Sequence, residues 1–287
     1  SVFAATAGVT IRGFGATIKG PNGVLLGIQA SGISIYGLTF DGAYAGGGSA
    51  APGNWIGLVD IVAASSVAIE DILIERCHFN NAYACGVRMA GNIDGVTFTK
   101  NRYSGNFIHV FGETSSTYTF RNLDFYGNRY GATWWNGIYS GAVKLSGNPD
   151  AIAYGITLIK ERIIASSEMG IELWNGIKDS SVEHCKIDGT QFGISLNSCE
   201  NVTVALNKIW RNSYTGIELA ESTTHCNVKL NTIDEYVVTA GVKGRGGQRG
   251  IISSGNPCTY NVVSDNIIRG AANAGIELQD NSYGFVR

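Results

Sequence analysis

Apolar and polar residues alternate in short runs along the whole chain, as in "VTIRGFGATI" at 9–18, "ISIYGLTF" at 33–40, "VTVALNKI" at 202–209 and "NVVSDNII" at 261–268. Alternation with a period of two marks a half-buried strand, and β-branched residues suit a pleated surface. Long amphipathic helical patterns are absent, so the pattern predicts an all-β chain. Thirty-nine glycines against four prolines agree with a chain that turns often and needs positive φ at many places.

The runs also repeat. "GIELWN" at 170–175 returns as "GISLNS" at 193–198, "GIELAE" at 216–221 and "GIELQD" at 275–280. With Gly250 included, the glycines that open these units are separated by 23, 23, 34 and 25 residues. A second series, Cys77, Asn101, Asn128, Glu161, Cys185, Asn207, Asn231 and Asn266, runs out of phase with steps of 24, 27, 33, 24, 22, 24 and 35. Two independent markers keep one basal period of 22–24 residues, and the longer steps carry insertions. A unit of that length made of two or three short strands cannot bury a face alone and must stack on its copies. Propeller blades are longer, and the leucine-rich signature is missing. The spacing therefore predicts a parallel β-helix of roughly nine or ten rungs, with residues 1–287 as one domain. In it, inward Ile, Val and Leu form columns, and each recurring Asn adopts a left-handed turn conformation while bonding its copy one rung away.

The repeated units, with "GVTIRGFGATIKG" at 8–20 as an opening rung, resemble the right-handed parallel β-helix superfamily. That superfamily includes pectate lyases, polygalacturonases, alginate-modifying enzymes and bacteriophage tailspikes. The resemblance covers nearly the whole chain and implies a polysaccharide substrate. It does not carry a reaction with it, because the N-T-D, D-D, G-H-G and R-I-K strings of polygalacturonases do not occur here, nor does an acidic calcium cluster. A lyase of this kind would use calcium; a hydrolase implies no cofactor. Likeness to tailspikes implies a homotrimer, a place outside the cell or on the virion surface, and flanking segments. A start at Ser1 without Met, and the lack of an evident cap at either end, lead to the same expectation of a processed chain or a fragment.

Strand geometry nominates the chemistry. With Ile171 and Leu173 inward, Glu172 points outward. The same register in the other units places Arg88, His109, Lys144, Glu172, Ser195, Glu218, Ile252 and Glu277 in one exterior column that Asp60 begins. Consecutive rungs sit ~4.8 Å apart, so Glu172 and Glu218 would face each other across Ser195 at the carboxylate spacing of an inverting glycosidase. Alternatively Lys144, His109 or Arg88 would abstract a proton beside a uronate carboxylate and drive β-elimination. A third reading makes the column an ordinary polar solenoid face, belonging to a structural or carbohydrate-binding body.

Insertions supply candidate binding groups. "YGATWWNGIYSG" at 130–141 carries Trp134, Trp135 and Tyr139, which together with Trp174 suit stacking on sugars or anchoring of the loop. The Gly-rich "VVTAGVKGRGGQRG" brings Lys243, Arg245 and Arg249 toward an anionic polymer, and "AYAGGGSAAPGNW" at 43–55 resembles a lip ending in Trp55.

Charge and cysteine usage narrow the classes. A net charge of −2 gives no sign of nucleic acid. No apolar run is long enough to span a bilayer. Six cysteines without a C-x-x-C pair, and four scattered histidines, argue against a zinc site and for buried thiols. A Cys199–Cys226 disulfide is the alternative to stacked reduced thiols.

Overall fold

The computed structural model describes residues 2–286 apart from 5, 22, 47–51, 64–66, 115–116, 136–138, 149, 151–152, 165–167, 235–248 and 280–282. Among the described residues every regular element is a strand, and every strand pairing is parallel. Each turn of the coil lays one strand on each of three sheets, here A, B and C, before returning one rung higher. Sheets A and B contain eleven strands each and sheet C ten, so ten full rungs are followed by a partial eleventh. The coil is a right-handed parallel β-helix, the hand that parallel crossovers favour.

The interior is built of stacked like residues. On sheet C the inward column begins with Phe40, Phe79, Tyr103 and Tyr130, whose neighbouring rings stack with centroids 5.3, 4.9 and 4.9 Å apart. It continues as buried Ile163, Ile187, Ile209 and Ile233. On sheet A the central rungs pack Val143, Ile171, Ile194, Ile217 and Ile251 inward, level with one another. All six cysteines are free and buried, Cys85 in a small separate cluster with Phe107 and Ile108, and there is no Cys199–Cys226 disulfide.

The glycine of "GIxL" is required by close approach. A Cβ on Gly193 would lie 2.4 Å from the Gly216 carbonyl oxygen and 2.7 Å from Ile209, where sheet C turns into sheet A. The Asn series lies at the opposite corner, between sheets B and C. Asn101 Oδ1 accepts from Cys77 N, Asn128 Oδ1 from Asn101 N, and Asn231 Oδ1 from Asn207 N, at 2.9, 2.9 and 3.0 Å. Each Nδ2 also donates to a carbonyl of sheet B, as Asn207 does to Val182 O at 2.9 Å. The left-handed turn residue is the one before the Asn: Arg76, Lys100, Lys160, His184, Leu206, Leu230 and Asp265 all have φ between 54° and 60°. The Asn is not itself left-handed, because its side chain must point inward to reach the next rung.

Candidate active site

The outer face of sheet A carries a column whose register is Asp60, Arg88, Phe111, Lys144, Glu172, Ser195, Glu218, Ile252 and Glu277. Phe111 stands where the sequence pattern predicted His109. The strand 108–113 pairs Ile108 with Cys85 and Val110 with Val87, which puts His109 at the level of the interior glycines. His109 is fully buried; Nδ1 meets Asn106 Nδ2 at 3.0 Å and Nε2 meets Gly131 O at 2.8 Å. Burial pushes its pKa down to about 4. A neutral ring engaged at both nitrogens and facing the interior is a structural residue, so its placement in the column is corrected.

At the N-terminal end, Arg88 is tied down. Its guanidinium lies 3.0 Å from Asp60 Oδ2 and donates to Trp55 O at 2.7 Å, while Gly57 N donates to Asp60 Oδ1 at 2.7 Å. Burial raises the Asp60 pKa, against the opposing pull of Arg88. Asp60 and Arg88 thus anchor the segment that presents Trp55. The indole of Trp55 packs on Phe111 and Phe107, at 5.5 and 5.7 Å between centroids.

The middle of the column is ionic. Lys144 Nζ lies 2.8 Å from Glu172 Oε2 and 3.8 Å from Glu168 Oε2, with all three side chains only 12–14% exposed. Glu168 precedes the strand Met169–Trp174 and accepts from Tyr139 N; burial raises its pKa, opposed by Lys144. Tyr139 also sets its ring 5.9 Å from Lys144 Nζ. Farther along, Ser195 Oγ donates to Glu218 Oε2 at 2.7 Å. Burial raises the Glu218 pKa, the Ser195 bond opposes that, and the charge of Glu172 adds to it.

A cleft of about 210 Å³ opens beside these groups, lined by Trp55, Phe111, Tyr139 and Trp174 together with Lys144 and Glu172. Trp174 is exposed, on the neighbouring outward column. Trp134 and Trp135 do not line the cleft. They pack on a small apolar cluster with Phe107 and Ile108, and Trp134 Nε1 donates to Ala82 O at 3.0 Å. They therefore anchor the loop and are corrected from binding residues to supports. Arg249 ion-pairs with Glu277 beyond the cleft, its guanidinium 5.5 Å from the Tyr214 ring; Lys243 and Arg245 lie outside the described residues.

The pattern missed Phe111 and Glu168, and gave Trp55 only as the end of a candidate lip. Phe111 is hidden because strand 108–113 takes a register two residues away from the one a "GVRM"-type match suggests. Glu168 lies in a turn outside any repeated motif. The signal for Trp55 is that an aromatic ends a Gly-rich insertion just before the strand Gly57–Val62, which carries the outward Asp60.

Among the described residues no group of three or more His, Cys, Asp and Glu is arranged to hold a metal ion. Among the described residues no helix is long and apolar enough to cross a membrane.

A solenoid of three parallel sheets with a walled ionic cleft on one of them defines the class as a parallel β-helix protein. Residues 109–285 match the family described as the right handed beta helix region, and the chain belongs to it. A search of curated proteins finds no match in sequence. Among solved structures the chain is similar to the A-module of the mannuronan C-5 epimerase AlgE6 of Azotobacter vinelandii, at 16% identity and a TM-score of 0.57, covering 100% of this chain and 86% of that one. It is also similar to the DFA-IIIase of Arthrobacter chlorophenolicus A6 in complex with GF2, at 12% identity and a TM-score of 0.58, covering 93% of this chain and 68% of that one.

Proposed function

We propose that the chain is a glycoside hydrolase that cleaves a polysaccharide in the sheet A cleft. The observation that carries this reading is the file Lys144, Glu172, Ser195, Glu218, in which two carboxylates of one column have different environments. Glu218 is half-buried and its pKa is raised, which favours the protonated form suited to a general acid. Glu172 is ion-paired with Lys144 at 2.8 Å and acts as the basic member. Two rungs separate their backbones by roughly 9–10 Å. The ~6.5–9.5 Å that inverting enzymes leave between carboxyl groups is within that reach. In the reaction Glu218 gives its proton to the leaving glycosidic oxygen, and Glu172 takes a proton from a water that attacks the anomeric carbon from the opposite face. Trp55, Phe111, Tyr139 and Trp174 supply the apolar faces against which sugar rings stack.

The similar structures support a saccharide substrate, since one is a mannuronan epimerase and the other a DFA-IIIase. Beta-elimination by a base of this column is less well supported. Lys144 and Arg88 are each engaged by carboxylates, and His109 faces inward.

Incubating the protein with acidic and neutral polysaccharides tests the proposal, with reducing ends and the ultraviolet absorbance of unsaturated sugars followed together. We expect new reducing ends without absorbance, and a loss of at least about a hundred-fold in Glu172→Gln and in Glu218→Gln. Full activity in both variants would remove the assignment.

A further inference from the structure

A second charged file runs along the outer face of sheet C, away from the cleft. The register places His78, Arg102, Arg129, Arg162, Lys186 and Lys208 on six consecutive rungs. The five that follow His78 are exposed, and among the described residues no carboxylate lies within ion-pairing distance of any of them. Burial, and secondarily the charge of Arg102, lower the His78 pKa.

The carboxylates that share this face do not neutralise the file. Asp41 is taken by Lys19 and Asn81, Asp188 by Arg211, and Asp234 lies one rung beyond Lys208. The Glu161 carboxylate, next to Arg162 in sequence, is turned inward and accepts from Tyr130. Like charges directly opposite one another on a sheet destabilise it. Here they continue for five rungs in a chain whose overall charge is −2. The arginines and His78 line a groove of about 430 Å³, together with Tyr103, Tyr130 and Gly131.

We infer that this groove is a binding track for an acidic polysaccharide, separate from the sheet A cleft and independent of the reaction proposed there. Its cations repeat every ~4.8 Å along a line one side chain wide. A single extended chain with one carboxylate per sugar ring presents negative charge at a spacing of the same order. The planar arginine fork donates two parallel hydrogen bonds to each such carboxylate, which no compact cation matches. Nucleic acid is a poorer partner. Duplex DNA carries a charge every ~1.7 Å along its axis, and single strands are held by bases stacking on exposed rings. The residues flanking Arg102 and Arg162 are Ser104 and Ile164, and the rings of Tyr103 and Tyr130 are buried.

The test measures binding of a fluorescent oligogalacturonate at low salt, with a neutral glucan oligomer and single-stranded DNA for comparison, in Glu172→Gln to prevent turnover. Substituting Arg102, Arg129 and Arg162 together by Gln is expected to weaken oligogalacturonate binding about a hundred-fold and to flatten its salt dependence. The same three positions changed to Lys keep the charge without the forked contact, so affinity should fall between that of the native protein and that of the Gln variant with the salt dependence retained, which separates lost charge from lost folding. Trp55→Ala with Trp174→Ala, which removes the cleft walls, should leave this binding in place. Unchanged affinity in the Gln variant would overturn the inference. So would neutral glucan or DNA binding as tightly as the oligogalacturonate.

Discussion

Glu161 occupies the corner position that Asn101, Asn128, Asn207, Asn231 and Asn266 hold on other rungs, and it does the same work with a group that can ionise. Its Oε1 accepts from Asn128 N at 3.1 Å and its Oε2 from Tyr130 OH at 2.6 Å. Burial outweighs these bonds and raises its pKa to about 7. Between the unfolded value of 4.5 and about 7 the folded protein therefore binds the extra proton, and stability falls as pH rises across that window. The fall amounts to roughly 3 kcal/mol. Glu161→Gln keeps an acceptor for Asn128 and Tyr130 and removes the titration. Denaturation midpoints taken from pH 4.5 to 8 should show a flattened profile and a gain in stability above pH 7 for that variant. An unchanged slope would mean that the carboxyl is not the titrating group. The ladder was legible in the sequence because Asn recurs before an apolar residue at the basal period. The left-handed residue was not, because Arg, Lys, Leu, His and Asp share that position and no composition marks it.

At the scale of elements, a strand presents its chemistry only through its register. The outward position of Glu172 and Glu218 follows from the buried Ile and Leu on either side of each. At "FIHV" every residue from Phe107 to Val110 is buried, so alternation gives no phase. Packing decides there: Asn106 and the Gly131 carbonyl hold the imidazole inside, and Phe111 is left to face the cleft. The insertions were legible as insertions, yet only three-dimensional packing separates Trp55, Tyr139 and Trp174, which line the cleft, from Trp134 and Trp135, which secure a loop. Arg88 joins two elements, bonding Asp60 on the adjacent strand and the carbonyl of Trp55 before it. Arg88→Met leaves a largely buried carboxylate unpaired and should cost about 3 kcal/mol in chemical denaturation. Most of that should return in the double variant Arg88→Met with Asp60→Leu, which removes both charges. Full stability in the single variant would show that the pair does not hold this end of the sheet.

Over the whole molecule the period of the sequence becomes a pitch, so residues far apart in the chain form straight files along the solenoid. Repetition made the fold readable almost throughout, including the number of rungs. The files are less readable, because their meaning depends on which sheet they occupy and what covers them. One file, on sheet A, passes beneath inserted loops and gains aromatic walls and buried carboxylates; another, on sheet C, stays open and basic. The most direct test of the proposed chemistry is proton nuclear magnetic resonance of the first products released from a polysaccharide that the protein cleaves. Glu172 and Glu218 acting from two rungs apart predict a reducing end with the anomeric configuration opposite to that of the bond broken, and no double bond in the new non-reducing sugar. A retained configuration, or an unsaturated sugar, would contradict the account.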